Sequence, residues 1–262
     1  MTVRIAIAGG NGRMGRTLIE LVQQSDDMQL AGVSLAPDET VPSPPPADAA
    51  LYHHEIADAI ASADVLIDFT TPAAARLHAQ ACAAAGVAWV LGTTGMDDDD
   101  KVAVDAASER VAVCQAANFS TGLNLMLRLV ELAASAADGD TDLEVIEAHH
   151  RHKVDAPSGT ALAIGEALAR GRGIDLHEHA VMSREGITGA RPDGAIGFAT
   201  IRGGDIVGDH TALFASEGER IEITHKAGTR LAFARGACRA ARWLVNRPAG
   251  RYDMQDVLNL RD

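Results

Sequence analysis

The stretch VRIAIAGGNGRMG, Val3 to Gly15, decides the fold. Val3–Ala8 is a short apolar run rich in β-branched side chains, the pattern of a buried strand, and Gly9-Gly10-Asn11-Gly12 follows at once as a tight turn. Met14, Leu18, Leu21 and Val22 then recur at helical spacing. Gly10, Gly12 and Gly15 fit the spacing G-x-G-x-x-G. Small residues there let the backbone approach a pyrophosphate, and the helix start offers free N–H groups at the positive end of its dipole. Glycines also close strand-to-helix turns for purely steric reasons. What favours nucleotide binding is the place of this triplet, between the first strand and the first helix of a βαβ pattern.

The same alternation continues outward. Met28–Leu35 is a second strand candidate, and the proline-rich residues 36–50 read as a surface loop. Val65–Phe69 is a buried strand. Thr71-Pro72 supplies an N-cap and a first-turn proline for the next helix, which Gly86 ends. Ala88–Leu91 runs into Gly92-Thr93-Thr94-Gly95, a helix covers about Asp97 to Ser108, and Val111–Gln115 runs into Ala116-Ala117-Asn118-Phe119. Strands alternating with helices predict an α/β unit, a Rossmann-like doubly wound parallel sheet with helices on both faces. In such sheets ligands sit beyond the carboxyl ends of the strands. Gly92, Thr93 and Thr94, and Ala116, Ala117, Asn118 and Phe119, therefore join the first turn as candidates for one cofactor cleft.

An acid about twenty positions after the glycines normally binds the ribose hydroxyls of NAD. Here Ser34 and Leu35 occupy that place, and the first acid, Asp38, comes only after a proline. The particular advantage of NADH is lost, while Ser34 and Arg13 are available to a 2′-phosphate. NADPH, or use of both NADPH and NADH, is expected, and Leu35→Glu is expected to turn the preference towards NADH.

The second half changes rhythm. Leu143–Ala148 is strand-like, Gly159–Arg170 helical, and residues 183–194 a long loop. Ile196–Ile201, Ile206–Phe214 and Arg220–His225 follow with no helix between them and with glycine turns, the pattern of an antiparallel meander in a second, α+β domain. Leu231–Val245 is helical again and can rejoin the first domain. The predicted division is 1–120 with 230–262, against 121–229.

The formal net charge of −13 argues against nucleic acid or an anionic membrane as partner. No apolar run is long enough to span a bilayer, no secretory signal is visible, and three scattered cysteines fit a reducing, cytoplasmic compartment. Against that background EAHHRHKVDAPSGTAL, residues 147–162, crowds His149, His150, Arg151, His152 and Lys153 together. His150 and His152 are spaced to share a metal, but Arg151 and Lys153 would repel a dication and no CxxC or HExxH partner exists, so no metal site is expected. Pro157-Ser158-Gly159-Thr160 opens a helix with hydroxyls and a glycine, an anion site by the same physics as the phosphate turn. The cluster suits a small polyanionic substrate that also needs a proton.

This segment resembles the signature of the 4-hydroxy-tetrahydrodipicolinate reductase family, long called dihydrodipicolinate reductase. The likeness extends to GRMG at 12–15, DFT at 68–70, GTTG at 92–95, AANFSTGLN at 116–124, SREG at 183–186, IGFATIRGGDIVGDHT at 196–211 and EITHKA at 222–227. The resemblance implies NAD(P)H-dependent reduction of a cyclic dicarboxylate imine on the diaminopimelate route to lysine. By matched positions it implies His149 as proton donor or acceptor, Lys153 as second proton donor, and His150, Gly159 and Thr160 as ligands of a substrate carboxylate. Gly9, Gly10, Asn11, Gly12, Arg13, Met14, Gly92 to Thr94 and Ala116 to Phe119 would contact the cofactor. It also implies a homotetramer joined through an open mixed sheet of the second domain. Two rivals are a dinucleotide-binding redox sensor without turnover, for which a dicarboxylate clamp has no use, and a semialdehyde dehydrogenase acting through a thiolate, for which no cysteine has a basic neighbour in a turn.

Overall fold

The structure, a computed structural model, describes residues 2–42 and 48–261. Chain order begins β1 (Val3–Ala8), α1 (Arg13–Gln23), β2 (Met28–Ser34), β3 (Tyr52–His53), α2 (Ile56–Ile60), β4 (Val65–Asp68), α3 (Pro72–Ala85), β5 (Ala88–Leu91), α4 (Asp98–Ser108), β6 (Ala112–Gln115) and α5 (Thr121–Ala136). It continues with β7 (Asp142–His149), α6 (Gly159–Arg172), α7 (Leu176–His179), β8 (Ala180–Val181), β9 (Ile196–Arg202), β10 (Gly208–Ser216), β11 (Glu219–Ala227), α8 (Leu231–Leu244), β12 (Gly250–Tyr252) and α9 (Met254–Val257). Two compact units result: Met1–Thr121 with Arg230–Asp262, and Gly122–Thr229.

The first unit is a seven-stranded sheet in the order β12-β6-β5-β4-β1-β2-β3, all of whose pairings are parallel. Strand alternation sends Ile5 and Ile7 to one face and Ala6 and Ala8 to the other, so each face carries its own core. Ile5, Ile7, Ile67 and Val90 pack with Leu18 and Val22 of α1 and with Ala237, Ala241 and Leu244 of α8. Ala6, Leu66, Trp89 and Val113 pack with Ala75, Ala79 and Cys82 of α3 and with Val104 and Ala107 of α4. Helix α8 is thus part of the first unit, and Gly236 lets it approach closely: a Cβ there would fall 1.7 Å from the Phe119 carbonyl oxygen. The strand order reverses between β1 and β4, the crevice where open α/β sheets place ligands.

The second unit is a five-stranded mixed sheet in the order β11-β10-β7-β9-β8. The expected meander is only partly present. β10 and β11 form an antiparallel hairpin, but β9 and β10 are not neighbours, because β7 lies between them, parallel to β9 and antiparallel to β10. The Gly203-Gly204 segment is therefore a crossing over the end of β7, where Gly203 N–H donates to the His149 carbonyl (2.9 Å) and His150 N–H to the Ile206 carbonyl (2.7 Å). One sheet face packs Leu143, Val145, Phe198, Ala212 and Phe214 under Leu123, Met126 and Val130 of α5 and Ile164 and Leu168 of α6. The other carries half-buried Ile146 and Leu213 and exposed Ala199 and Ile201.

The 36–50 loop is less plain than its composition: a 3₁₀ turn spans Ala49–Leu51 before β3, while residues 43–47 of that loop lie outside the described residues. Among the described residues, no helix is long and apolar enough to cross a membrane.

Candidate active site

Two-residue alternation on β7 puts Leu143, Val145, Glu147 and His149 on the covered face. Register then assembles the site across strands. Glu147 is paired with His210 of β10 and Thr200 of β9, and His149 with Arg202 of β9. Glu147 is 1% exposed, and its carboxylate accepts five hydrogen bonds. Arg202 supplies two, at 2.8 Å to each oxygen. His149 Nδ1 lies 2.6 Å from Oε2, while Ser158 N–H (3.1 Å) and Thr200 Oγ1 (3.3 Å) donate to Oε1. Burial alone would raise the carboxyl pKa; the bonds from Arg202, His149 and Ser158 and the guanidinium charge outweigh it and hold it at about 2.

His210 stacks edge-on to His149, ring centroids 5.0 Å apart, and its Nε2 lies 3.1 Å from Ser158 Oγ. Burial, then the neighbouring His149, pushes its pKa down to about 4. Ser158 is the N-cap of α6, accepting from Ala161 N–H at 3.1 Å. Gly159 and Thr160 follow as the first two helical residues, whose N–H groups have no acceptor within the helix. No atom lies within 4 Å of a Cβ placed on Gly159, so a ligand can come close. His150 Nδ1 is buried without a hydrogen-bond partner, a donor or acceptor still to be used. Lys153 Nζ is held by both oxygens of Asp155, each at 2.8 Å, with the lysine side chain 21% exposed. The second unit therefore gathers His149, His150, Lys153, Gly159 and Thr160 in one segment that starts at the end of β7 and runs into α6.

In the first unit the predicted cofactor residues occupy the carboxyl ends of β1, β5 and β6. Gly9 has φ +70°, and a Cβ on Gly10 would fall 2.2 Å from Val33, so the turn admits glycine alone at these points. Gly12 caps α1 with no side-chain bond, which leaves the N–H groups of Arg13 and Met14 to a ligand. That cradle fits a pyrophosphate. Asn11 donates from its amide to the Thr40 carbonyl (3.0 Å). Asp68, 0% exposed at the end of β4, accepts from Thr70 Oγ1 (2.6 Å) and Thr93 Oγ1 (3.5 Å) and pairs with His78 Nδ1 (2.7 Å). Thr93 is thus fixed from below, while Thr94 is exposed. Phe119 is fully buried against Phe69, ring centroids 5.5 Å apart, so only its backbone is available to a cofactor; Ala117 is exposed, and Ala116 and Asn118 are half-buried.

Two expected cofactor residues are placed differently. Leu35 is 4% exposed, and Ser34 Oγ accepts the Gly9 N–H at 3.4 Å, so both side chains serve the sheet and the turn. A cavity of about 800 Å³ beside them is lined instead by Gly10, Asn11, Arg16, Asp38, Glu39 and Tyr52. Burial follows from backbone reach: Leu35 N–H still bonds the His53 carbonyl (2.9 Å), so β2 in effect extends one residue past the place where an acid would turn outward.

Sequence reasoning passed over Glu147, Thr200, Arg202 and His210 as functional residues, and read Ser158 only as part of the helix start. One signal was available: Glu147-Ala148-His149 is an i, i+2 pair on a strand. The partners from β9 and β10 lie in the family-like stretch 196–211, but nothing in it marks them as neighbours of Glu147, since register alone brings them there. The cysteines are buried, and burial pushes the thiols of Cys114 and Cys238 up to about 12 and about 11, which removes the thiolate rival.

Residues 3–119 match the family described as Dihydrodipicolinate reductase, N-terminus, and residues 122–258 the one described as Dihydrodipicolinate reductase, C-terminus. The 4-hydroxy-tetrahydrodipicolinate reductase of Saccharophagus degradans is 52% identical over 268 residues, 100% of each chain. That of Thiobacillus denitrificans is 51% identical over 267 residues, again 100% of each. A solved structure, a dipicolinate-bound dihydrodipicolinate reductase from Paenisporosarcina sp. TG-14, is similar with a TM-score of 0.79 and 27% identity, over 98% of this chain and 99% of that one. An amine dehydrogenase from Mycobacterium smegmatis shares the fold alone, with a TM-score of 0.59 and 12% identity over 100% of this chain and 97% of that one.

Proposed function

The chain belongs to the dihydrodipicolinate reductase family, and from that premise we infer that it reduces 4-hydroxy-tetrahydrodipicolinate to tetrahydrodipicolinate with NAD(P)H and loss of water, on the diaminopimelate route to lysine. The observation that carries the reading at the site is a strand end offering an imidazole against a fixed carboxylate, followed in the same segment by the free N–H groups of a helix start. Such a segment both neutralises a carboxylate and delivers a proton.

Bound nicotinamide supplies the hydride. The chain's own residues hold the substrate and manage protons. Gly159, Thr160 and His150 receive a substrate carboxylate, and His149 gives a proton from Nε2, the nitrogen not bonded to Glu147. Lys153 exchanges its ion pair with Asp155 for one with the substrate and serves as second proton donor. In the first unit Gly9, Gly10, Asn11, Gly12, Arg13 and Met14 cradle the pyrophosphate, while Gly92 to Thr94 and Ala116 to Phe119 meet the cofactor through backbone and small side chains. Ser34 and Leu35 contribute by shaping the turn from beneath.

The test is steady-state oxidation of NADPH and NADH with enzymatically generated substrate. His149→Gln lowers kcat about 10²-fold, the usual range for lost acid–base catalysis, with cofactor affinity unchanged. Full turnover in that variant removes His149 from the mechanism. We further propose a cytoplasmic homotetramer. The free, buried cysteines support the compartment, and the face of the second sheet bearing Ile146, Leu213, Ala199 and Ile201 supports assembly. Light scattering that gives a monomer mass at micromolar concentration overturns the assembly.

A further inference from the structure

The five donors on Glu147 are more than its charge requires. Two parallel bonds from Arg202 already neutralise its charge. Three donors remain: Thr200 Oγ1 at 3.3 Å and two groups that matter for chemistry, His149 Nδ1 at 2.6 Å and the N–H of Ser158 at 3.1 Å. An ionised carboxylate only accepts, so Nδ1–H stays bonded to it in either charge state of the ring; the proton given to the substrate is the one the imidazolium carries on Nε2, and giving it up leaves the neutral Nδ1–H ring. The surroundings keep Nε2 clear. Gly208 lies against it without a side chain, and a Cβ there would stand 3.1 Å away. The Ser158 bond fixes the residue that caps α6, immediately before Gly159 and Thr160.

We propose that Glu147, anchored by Arg202, is a positioning residue that keeps the His149 proton on Nδ1, presents Nε2 to the substrate, and ties that imidazole to the helix start receiving the substrate carboxylate. The proposal rests on the reading of His149 as proton donor. It assigns Arg202 a place in the same device: the guanidinium also donates to the carbonyls of Ile201 (2.7 Å) and Asp155 (2.7 Å), which locks the fork to β9 on one side and to the loop after β7 on the other. A merely structural Arg–Glu pair would need neither the imidazole nor the Ser158 N–H.

The test begins with the wild-type enzyme labelled with ¹⁵N. Long-range ¹H–¹⁵N spectra report the tautomer of each imidazole, and the His149 signals are assigned by their loss in His149→Gln. The Nδ1–H form is expected for neutral His149; the Nε2–H form overturns the proposal without any variant of Glu147. Glu147→Gln keeps the shape and removes the charge. It is expected to lose the fixed tautomer and to lower kcat about 10²-fold, with KM and the Kd for pyridine-2,6-dicarboxylate changed less than tenfold. Wild-type kcat in Glu147→Gln beside an inactive His149→Gln overturns this proposal and leaves the acid in place. Full turnover in His149→Gln removes the acid itself, while the tautomer measurement still reads the hold of Glu147.

Discussion

Gly208 stands against the imidazole of His149 so closely that a methyl group at Gly208 would lie 3.1 Å from Nε2 and 3.4 Å from Cδ2. The glycine has an ordinary backbone conformation, so its purpose is space. Gly208→Ala is expected to leave the melting temperature within a few degrees of wild type. Its kcat should fall about tenfold, because a displacement of about 1 Å at a reacting group costs up to about 10²-fold. Steady-state kinetics beside a thermal melt checks both. Unchanged kcat would show that the proton leaves by another route.

Lys153 is held in the free enzyme by Asp155 through two bonds of 2.8 Å. A substrate carboxylate therefore competes with an internal one. Lys153→Ala should lower kcat and raise KM together, whereas a change in KM alone would limit the residue to uniform binding. Asp155→Asn should tighten pyridine-2,6-dicarboxylate severalfold by calorimetry, since the ammonium no longer has to be released first.

Acid stability should bear the mark of His210. In the folded chain its pKa is pushed from 6.5 down to about 4, by burial first and then by His149. Between those values the unfolded chain holds a proton that the folded chain refuses, so stability falls as pH drops from 6.5 to about 4, by about 3 kcal/mol at most. Glu147 acts in the next window. Its folded pKa is depressed from 4.5 to about 2, so its contribution is full above 4.5 and is lost as pH falls towards 2. Urea melts at stepped pH should show both slopes in the wild type. His210→Asn should reduce the first, to which His225, its pKa also lowered by burial, contributes as well, and keep the second.

Cofactor choice should depend on Arg16 and the acids beside it, with Leu35 in a packing role. Leu35 is 4% exposed, so Leu35→Glu buries a carboxylate and is expected to lower stability instead of turning selectivity towards NADH. Arg16 lines the same cavity as Asp38 and Glu39. Arg16→Ala should weaken NADPH about tenfold and NADH less than threefold, read as Kd by fluorescence titration. Equal losses would make Arg16 a pyrophosphate ligand, and no loss would take it out of the site.

The glycine turn, the parallel alternation up to Gln115 and the histidine segment were legible because each depends on neighbours in sequence. A turn needs its glycines, a helix its periodic apolar face, and an anion site its helix start. β3, α2, α5, α7, β8, β12 and α9 were passed over. All but α5 are short, with too few residues for a periodic pattern, and α5 lies in a stretch read for its cofactor turn. The order of β9 and β10 was misread for another reason. Consecutive strands joined by a glycine turn ordinarily pair, and nothing local announces that β7 will lie between them.

By itself the sequence determined the class of fold and the family, and it supplied the candidates proposed to meet a phosphate or a carboxylate, since these are written in contiguous motifs. Only the tertiary structure decided what surrounds them. The pairing of β7 with β9 and β10 brings Thr200, Arg202 and His210, which lie 53, 55 and 63 residues after Glu147, to the Glu147–His149 pair, and the burial of Leu35 moves the cofactor question to Arg16, Asp38 and Glu39. The physical reason is the same in both cases. Strand register and depth of burial are settled by the competition of all strands for partners and of all apolar side chains for the core, and no short segment contains that competition.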